Sequence, residues 1–202
     1  MNKIFSFLNT AGLNYSFSNA NTLASSLSLA AMHFDRSLHR QTNIKRTFVR
    51  PVINMKLDKY ALKAGQDQTV FEFISEGTNG AIRKLILFQP TTEPNLYNLA
   101  FGDRDTLTGG VNDMAVSNNG DTGKVLATVV AALYAFCERY PDAFVYATGS
   151  TAARTRLYRM GITRFYDEVR ADFFLYGQVG DDFPEFELSK EYGGFLAKRK
   201  FN

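Results

Sequence analysis

The 202-residue chain is 45% hydrophobic and 14% aromatic, enough to bury a full core, and its formal net charge is only +3. Residues 1–54 carry Lys3, Arg36, Arg40, Lys45, Arg46 and Arg50 against the single acid Asp35, so 17 of the 23 basic and 19 of the 20 acidic residues lie beyond them. The remainder is therefore close to neutral, and the global charge gives no support for the basic face that duplex nucleic acid needs, which leaves only a local patch open.

Both histidines, His33 and His39, fall in the N-terminal segment, which removes histidine triads and most zinc sites from residues 55–202. No metal site is expected. The lone cysteine, Cys137, cannot form a disulfide within the chain, and a reducing, cytoplasmic compartment fits. No apolar run approaches the roughly 20 residues of a membrane-spanning helix, so a membrane is not an expected partner.

Residues 1–54 are rich in Ser, Asn, Thr and Ala, with little periodic hydrophobicity. KIFSFL is too short for the apolar region of a secretory signal, whereas the Arg-rich, acid-poor composition fits a transit peptide better. The favoured reading is a disordered or mispredicted extension ahead of a natural start at Met55, leaving 55–202 as one α+β domain.

From Thr69 the pattern becomes β-rich. TVFEFISE (69–76) and AIRKLILFQ (81–89) flank Asn79-Gly80 and predict an antiparallel hairpin. LYNLAFGD (96–103) predicts a third strand and VNDMAVS (111–117) a fourth. After SNNGDTGK, apolar residues at 126, 129, 130, 133, 136, 137 and 140 trace one helical face, which Pro141 ends. Cys137 sits on that face, where a small buried hydrophobe is expected.

AFVYATGS (143–150) predicts a short buried strand. The next helix, GSTAARTRLYRMGI (149–162), carries Arg154, Arg156 and Arg159, and Gly161 is expected as its C-terminal cap. RADFFLYGQV (170–179) and DFPEFEL (182–188) supply one or two final strands. The tail is expected to pack Phe195 and Leu196 and leave Lys198, Arg199 and Lys200 in water. The predicted fold class is α+β: a mixed, mostly antiparallel sheet with one β-α-β crossover.

In a β-α-β unit each helix starts at the carboxyl end of the preceding strand, so the NNGDTGK and TGST loops should open on one sheet edge. Helix amino termini there offer unpaired N–H groups to an anion. The candidate ligand-binding residues are Asn118, Asn119, Gly120, Thr122, Gly123, Lys124, Ser150, Thr151 and Arg154. Phosphate, pyrophosphate or carboxylate is the implied guest, although the same residue types also serve turns and caps with no ligand. The loop is not a P-loop, because Asn118 and Val125 replace residues that motif requires.

The order strand, glycine-bearing turn, long helix, strand, short helix resembles the coenzyme A-binding half of the GNAT superfamily of N-acetyltransferases. In that superfamily a Gln/Arg-x-x-Gly-x-Gly/Ala turn grips pyrophosphate, and a tyrosine on the next helix can protonate the leaving thiolate. Carried over, the resemblance implies acetyl-coenzyme A as the cofactor and Tyr158 as the catalytic acid. With Gly123 at the last glycine of the turn, however, Asn118 takes the Gln/Arg position and Asp121 the middle glycine. Leu157 takes the tyrosine position, one residue from Tyr158. A base would come from Glu72, Glu76, Asp103 or Asp113.

FEFISEG, YNLAFGD, SNNGD with KVLATV, and GSTAARTRLY are similar to recurring blocks of a family of uncharacterised bacterial proteins about as long as residues 55–202. Two functions stay open. One is a non-catalytic module on a GNAT-like scaffold that binds a phosphate-bearing ligand or a partner protein, which the missing histidines and Asp121 favour. The other is an acetyl-coenzyme A-dependent N-acyltransferase.

Overall fold

The computed structural model describes residues 58–201 other than Asp113 and Val116. The expectation for residues 1–54 and the candidate base Asp113 thus lie outside the described residues.

Among the described residues an open sheet of eight strands and three helices form an α+β fold. In chain order they are β1 (Lys63–Ala64), β2 (Val70–Gly77), β3 (Gly80–Pro90), β4 (Leu96–Arg104), β5 (Val111–Asn112), α1 (Thr122–Arg139), β6 (Phe144–Ala147), α2 (Ala152–Arg164), α3 (Tyr166–Asp172), β7 (Phe173–Gly177) and β8 (Phe195–Arg199). The sheet order is β1-β2-β3-β4-β6-β8-β7, with β5 paired to β4. Every pairing is antiparallel except β4 with β6, whose connection contains α1.

Strand alternation sets the layers. Phe71 and Phe73 of β2, Ile86 and Phe88 of β3, and Leu99 of β4 join the core with the buried stripe of α1. Phe88 stacks on Phe136 with ring centroids 4.0 Å apart. A smaller cluster forms around Leu96, Phe144 and Leu196 with Tyr146, Tyr176 and Phe183. Cys137 is buried in the main core, and that burial pushes its thiol up to about 12, which suits a hydrophobe and not a nucleophile.

The first hairpin, the third strand, the long helix and the strand after it fall where the sequence puts them. Gly77 and Gly80 pair across the first turn, and Gly80 takes φ +84°. Several expectations are corrected. The strand over 111–117 pairs only at Val111–Asn112, because the Asn112 side-chain oxygen accepts from the backbone of Met114 and Ala115, both at 3.1 Å, and turns the chain aside. Gly161 does not cap α2, which runs on to Arg164. It is buried inside the helix, where an added Cβ would lie 3.3 Å from Leu126 of α1.

The segment 182–188 adds only isolated bridges beside β7, whose sheet partner is the tail strand β8. Residues 170–172, expected in a strand, end α3. Nor are Lys198 and Arg199 in water, at 5% and 7% exposed. The Lys198 ammonium lies 4.7 Å from the centre of the Phe144 ring. Arg199 stacks over Tyr134 at 4.5 Å and pairs with Glu138 at 3.3 Å. Aromatic faces and one carboxylate thus stand in for part of the water these cations would otherwise have, and Arg199 Nε and Nη1 are buried with no hydrogen-bond partner among the described residues.

Candidate functional site

Because β4 and β6 run parallel, α1 and α2 both start at the same edge of the sheet. A cleft of about 500 Å³ opens there, with the 117–122 loop on one side and the start of α2 on the other. Its apolar lining includes Phe101, Val125, Leu126 and Leu157. Lys84, Asp103, Ser117, Asn118, Thr151 and Arg154 supply polar groups.

Lys84 of β3 and Asp103 of β4 are direct cross-strand partners, so both project from the helix-bearing side in phase with Ile86 and Phe101. The Lys84 ammonium donates to Asp103 Oδ1 and to Ser117 Oγ. Lys84 is 5% exposed, and the Asp103 side chain is 19% exposed.

Of the candidates from the sequence, Asn118, Asn119, Thr122, Thr151 and Arg154 line this cleft, together with Asp121. Gly120, Gly123, Lys124, Ser150 and Tyr158 lie outside its lining. Asn119 is committed to the fold, because its amide donates to Ser75 Oγ at 2.8 Å and to the Gly80 carbonyl at 3.1 Å. Its side-chain carbonyl accepts from the Asn79 N–H at 2.8 Å. Its backbone carbonyl also accepts from Thr78 at 3.1 Å, and a Cβ on Gly77 would lie 1.8 Å from that oxygen. The SNNGD loop is therefore a clasp on the β2–β3 turn, with Asn118 at φ +40° and Gly120 at φ +78°.

Asp121 neither caps α1 through its side chain nor pairs with Arg154. Its Oδ2 accepts from Tyr60 at 2.7 Å and from Ser75 at 2.6 Å. Burial and the bond to Asp121 raise the Tyr60 phenol above its ordinary value. Lys124 faces the same group of residues. It pairs with Asp58 at 3.1 Å, lies over the Tyr60 ring at 4.6 Å, and is held above its ordinary value by the hydrogen bond to Asp58.

Thr151 caps α2 by accepting from the Arg154 N–H at 3.3 Å. The Arg154 guanidinium donates to the Phe101 carbonyl at 3.1 Å and the Ala115 carbonyl at 2.6 Å, tying α2 to β4 and to the loop after β5. Arg159 pairs with Glu191 at 3.2 Å, and Arg156 is exposed beside it. Tyr158 donates to the Leu99 carbonyl at 3.4 Å and lines a narrow apolar cavity of about 70 Å³ with Val129 and Val130. Leu157, one position earlier, faces the cleft.

Sequence reasoning missed Lys84 and Ser117 and left Asp103 undistinguished among four acids. The signal was there in the strand phase. Lys84 falls at an inward position of the series Ile82, Ile86, Phe88, and Asp103 at an inward position of Tyr97, Leu99, Phe101. A charge on the buried phase of a strand requires a partner. Arg164 was also missed. Its guanidinium lies where a Cβ on Gly123 would be 3.1 Å from Cζ, at the first turn of α1.

Among the described residues no group of three His, Cys, Asp or Glu converges as a metal would require, and no helix is long and apolar enough to cross a membrane. An α+β fold with a mostly antiparallel open sheet and a cleft at its single parallel pair defines the class of protein. The model of a family of unknown function (DUF6934) matches residues 56–200, and the chain belongs to that family. No curated protein and no solved structure matches the chain.

Proposed function

We propose that the chain is a non-catalytic binding module on a GNAT-like scaffold, which takes a small anionic ligand in the cleft between the starts of α1 and α2. The observation that carries this reading is the convergence of two helix amino termini on one cleft of about 500 Å³. The first N–H groups of α1 have no side-chain cap, because the Asp121 carboxylate is engaged by Tyr60 and Ser75.

The single parallel pair with α1 in its crossover supports the scaffold likeness. The inward-turned Tyr158 favours binding over acyl transfer, because the candidate acid lies outside the cleft. One observation favours the acyltransferase alternative: Asp103, alone among the described base candidates, lines the cleft.

Calorimetric titration of acetyl-coenzyme A, coenzyme A and ATP into the full chain tests the reading, with Ala153→Glu as the variant. Ala153 lines the cleft in the first turn of α2, which carries no acid of its own. A glutamate there suits the helix dipole but places a negative charge where the anion would sit. Micromolar binding weakened at least tenfold by Ala153→Glu, about 1.4 kcal/mol, supports the module. No binding at millimolar concentrations of any of the three, or binding indifferent to Ala153→Glu, refutes it. Release of free thiol from acetyl-coenzyme A with an amine acceptor would move the conclusion to the acyltransferase.

A further inference from the structure

The floor of the cleft is charge-balanced and keeps hydrogen-bonding capacity beyond its internal bonds. An ammonium has three N–H donors and a carboxylate about four acceptor sites. Lys84 uses two donors, on Asp103 and Ser117. Among the described residues Asp103 Oδ2 has no partner, and the Ser117 hydroxyl accepts from Lys84 and keeps its own hydrogen free. Lys84, Asp103 and Ser117 all line the cleft, beside the apolar Phe101 and Leu157.

An ammonium held by a carboxylate serves as a donor and not as a nucleophile, so imine chemistry is not expected of it. A ligand anion here would leave the floor with one uncompensated negative charge in a largely buried site, and a ligand cation with one uncompensated positive charge. Both are costly. The group that satisfies the floor is neutral and presents an acceptor next to a donor.

We propose that the Lys84–Asp103–Ser117 floor recognises a neutral amide-type group attached to an apolar body, its carbonyl accepting from Lys84 and Ser117 and its N–H donating to Asp103. This deepens the reading of the cleft as a ligand site and rests on it. The anionic part of the ligand lies at the helix starts near the mouth, and the amide lies at the floor.

Three probes of one shape test the floor: benzamide, benzoate and acetophenone. Each is titrated into the full chain while the backbone amide signals of Gly102, Asp103 and Ser117 are followed by NMR. Benzamide is expected to bind at least tenfold more tightly than acetophenone, which lacks the donor, and than benzoate, which carries the wrong charge. Asp103→Asn removes the negative charge and turns an acceptor into a donor, so it is expected to reverse the preference to benzoate.

Where Asp103→Asn does not fold, the double variant Lys84→Met, Asp103→Leu carries the test, since replacing a whole buried pair with apolar residues is tolerated. It is expected to lose the benzamide preference. Equal or tighter binding of benzoate or acetophenone by the unaltered chain, no shift with any probe, or a preference that survives in the folded variant overturns the proposal. Benzoate can also reach the anion site at the helix starts, so its binding counts against the floor only where Ala153→Glu leaves it unchanged. Benzamide and acetophenone carry no charge, and their comparison fails or succeeds independently of the anion reading that Ala153→Glu tests.

Discussion

Replacing Arg154 with methionine separates two roles for this residue, as a structural tie or as an anion ligand waiting for its guest. In the structure its guanidinium bridges the Phe101 and Ala115 carbonyls at 3.1 and 2.6 Å, and the side chain is half-buried. A hydrogen bond to a charged group contributes about 1.5–3 kcal/mol. Two of them, reduced for partial exposure, give an expected loss of about 2–3 kcal/mol, while methionine keeps much of the packing of the stem. With a urea dependence of roughly 1–3 kcal/mol per molar, the unfolding midpoint of the full chain should fall by about 1–2 M. Hydrogen exchange should quicken selectively at Met114 and Ala115, whose N–H groups donate to Asn112, because the loop loses its tether to α2. A free anion-binding arginine behaves otherwise: without ligand it carries an unanswered positive charge, and its removal is neutral or stabilising. A ligand-free Arg154→Met variant within about 0.5 kcal/mol of the parent, with unchanged exchange in this loop, would refute the structural role.

Gly77→Ala forces a Cβ to within 1.8 Å of the Asn119 carbonyl and should cost about 2–4 kcal/mol. Gly80→Ala meets open space at φ +84° and should cost only about 1–2 kcal/mol, so equal losses in urea unfolding would contradict the clasp. Cys137 should stay inert to Ellman's reagent at pH 8 in the folded protein and react on unfolding, since burial lifts its thiol to about 12; rapid native labelling would refute its burial. Burial also raises Tyr176 to about 12, and both groups therefore favour the folded state while neutral. Their contribution is complete below pH 9 and is lost as pH rises toward 12, so the melting temperature should hold to pH 9 and then decline. A rise above pH 9 would contradict the assignment.

Much of the fold was legible because its signals are local. The apolar stripe of α1 repeats along the whole helix, and the β2–β3 hairpin carries both its alternation and its turn. The missing elements depend on distant partners. FLAKR reads as a solvated basic tail until Phe144, Tyr134 and Glu138 are brought against its cations. Gly161 reads as a helix stop until Leu126 of another helix occupies the space a side chain would need. At the site, the meeting of the two helix starts followed from topology, and strand phase could have singled out Lys84 and Asp103. The targets of Arg154 and Asp121 could not be read this way. A backbone carbonyl on β4 and a hydroxyl on β2 leave no mark in the composition of the segments that seek them.

Although β8 follows β7 in chain order and is the last strand among the described residues, it stands between β6 and β7, and its pairings with both are antiparallel. During synthesis, β6 and the strands before it can assemble while the edge that β8 will occupy stays open, and β7 has no sheet to join until residue 199 is available. A product that stops before Phe195 would lose an interior strand and leave two unpaired edges facing any neighbouring chain. The seating of β8 therefore acts on this sheet almost as a single decision: the strand enters and closes both edges, or the assembly is left open to aggregation and proteolysis.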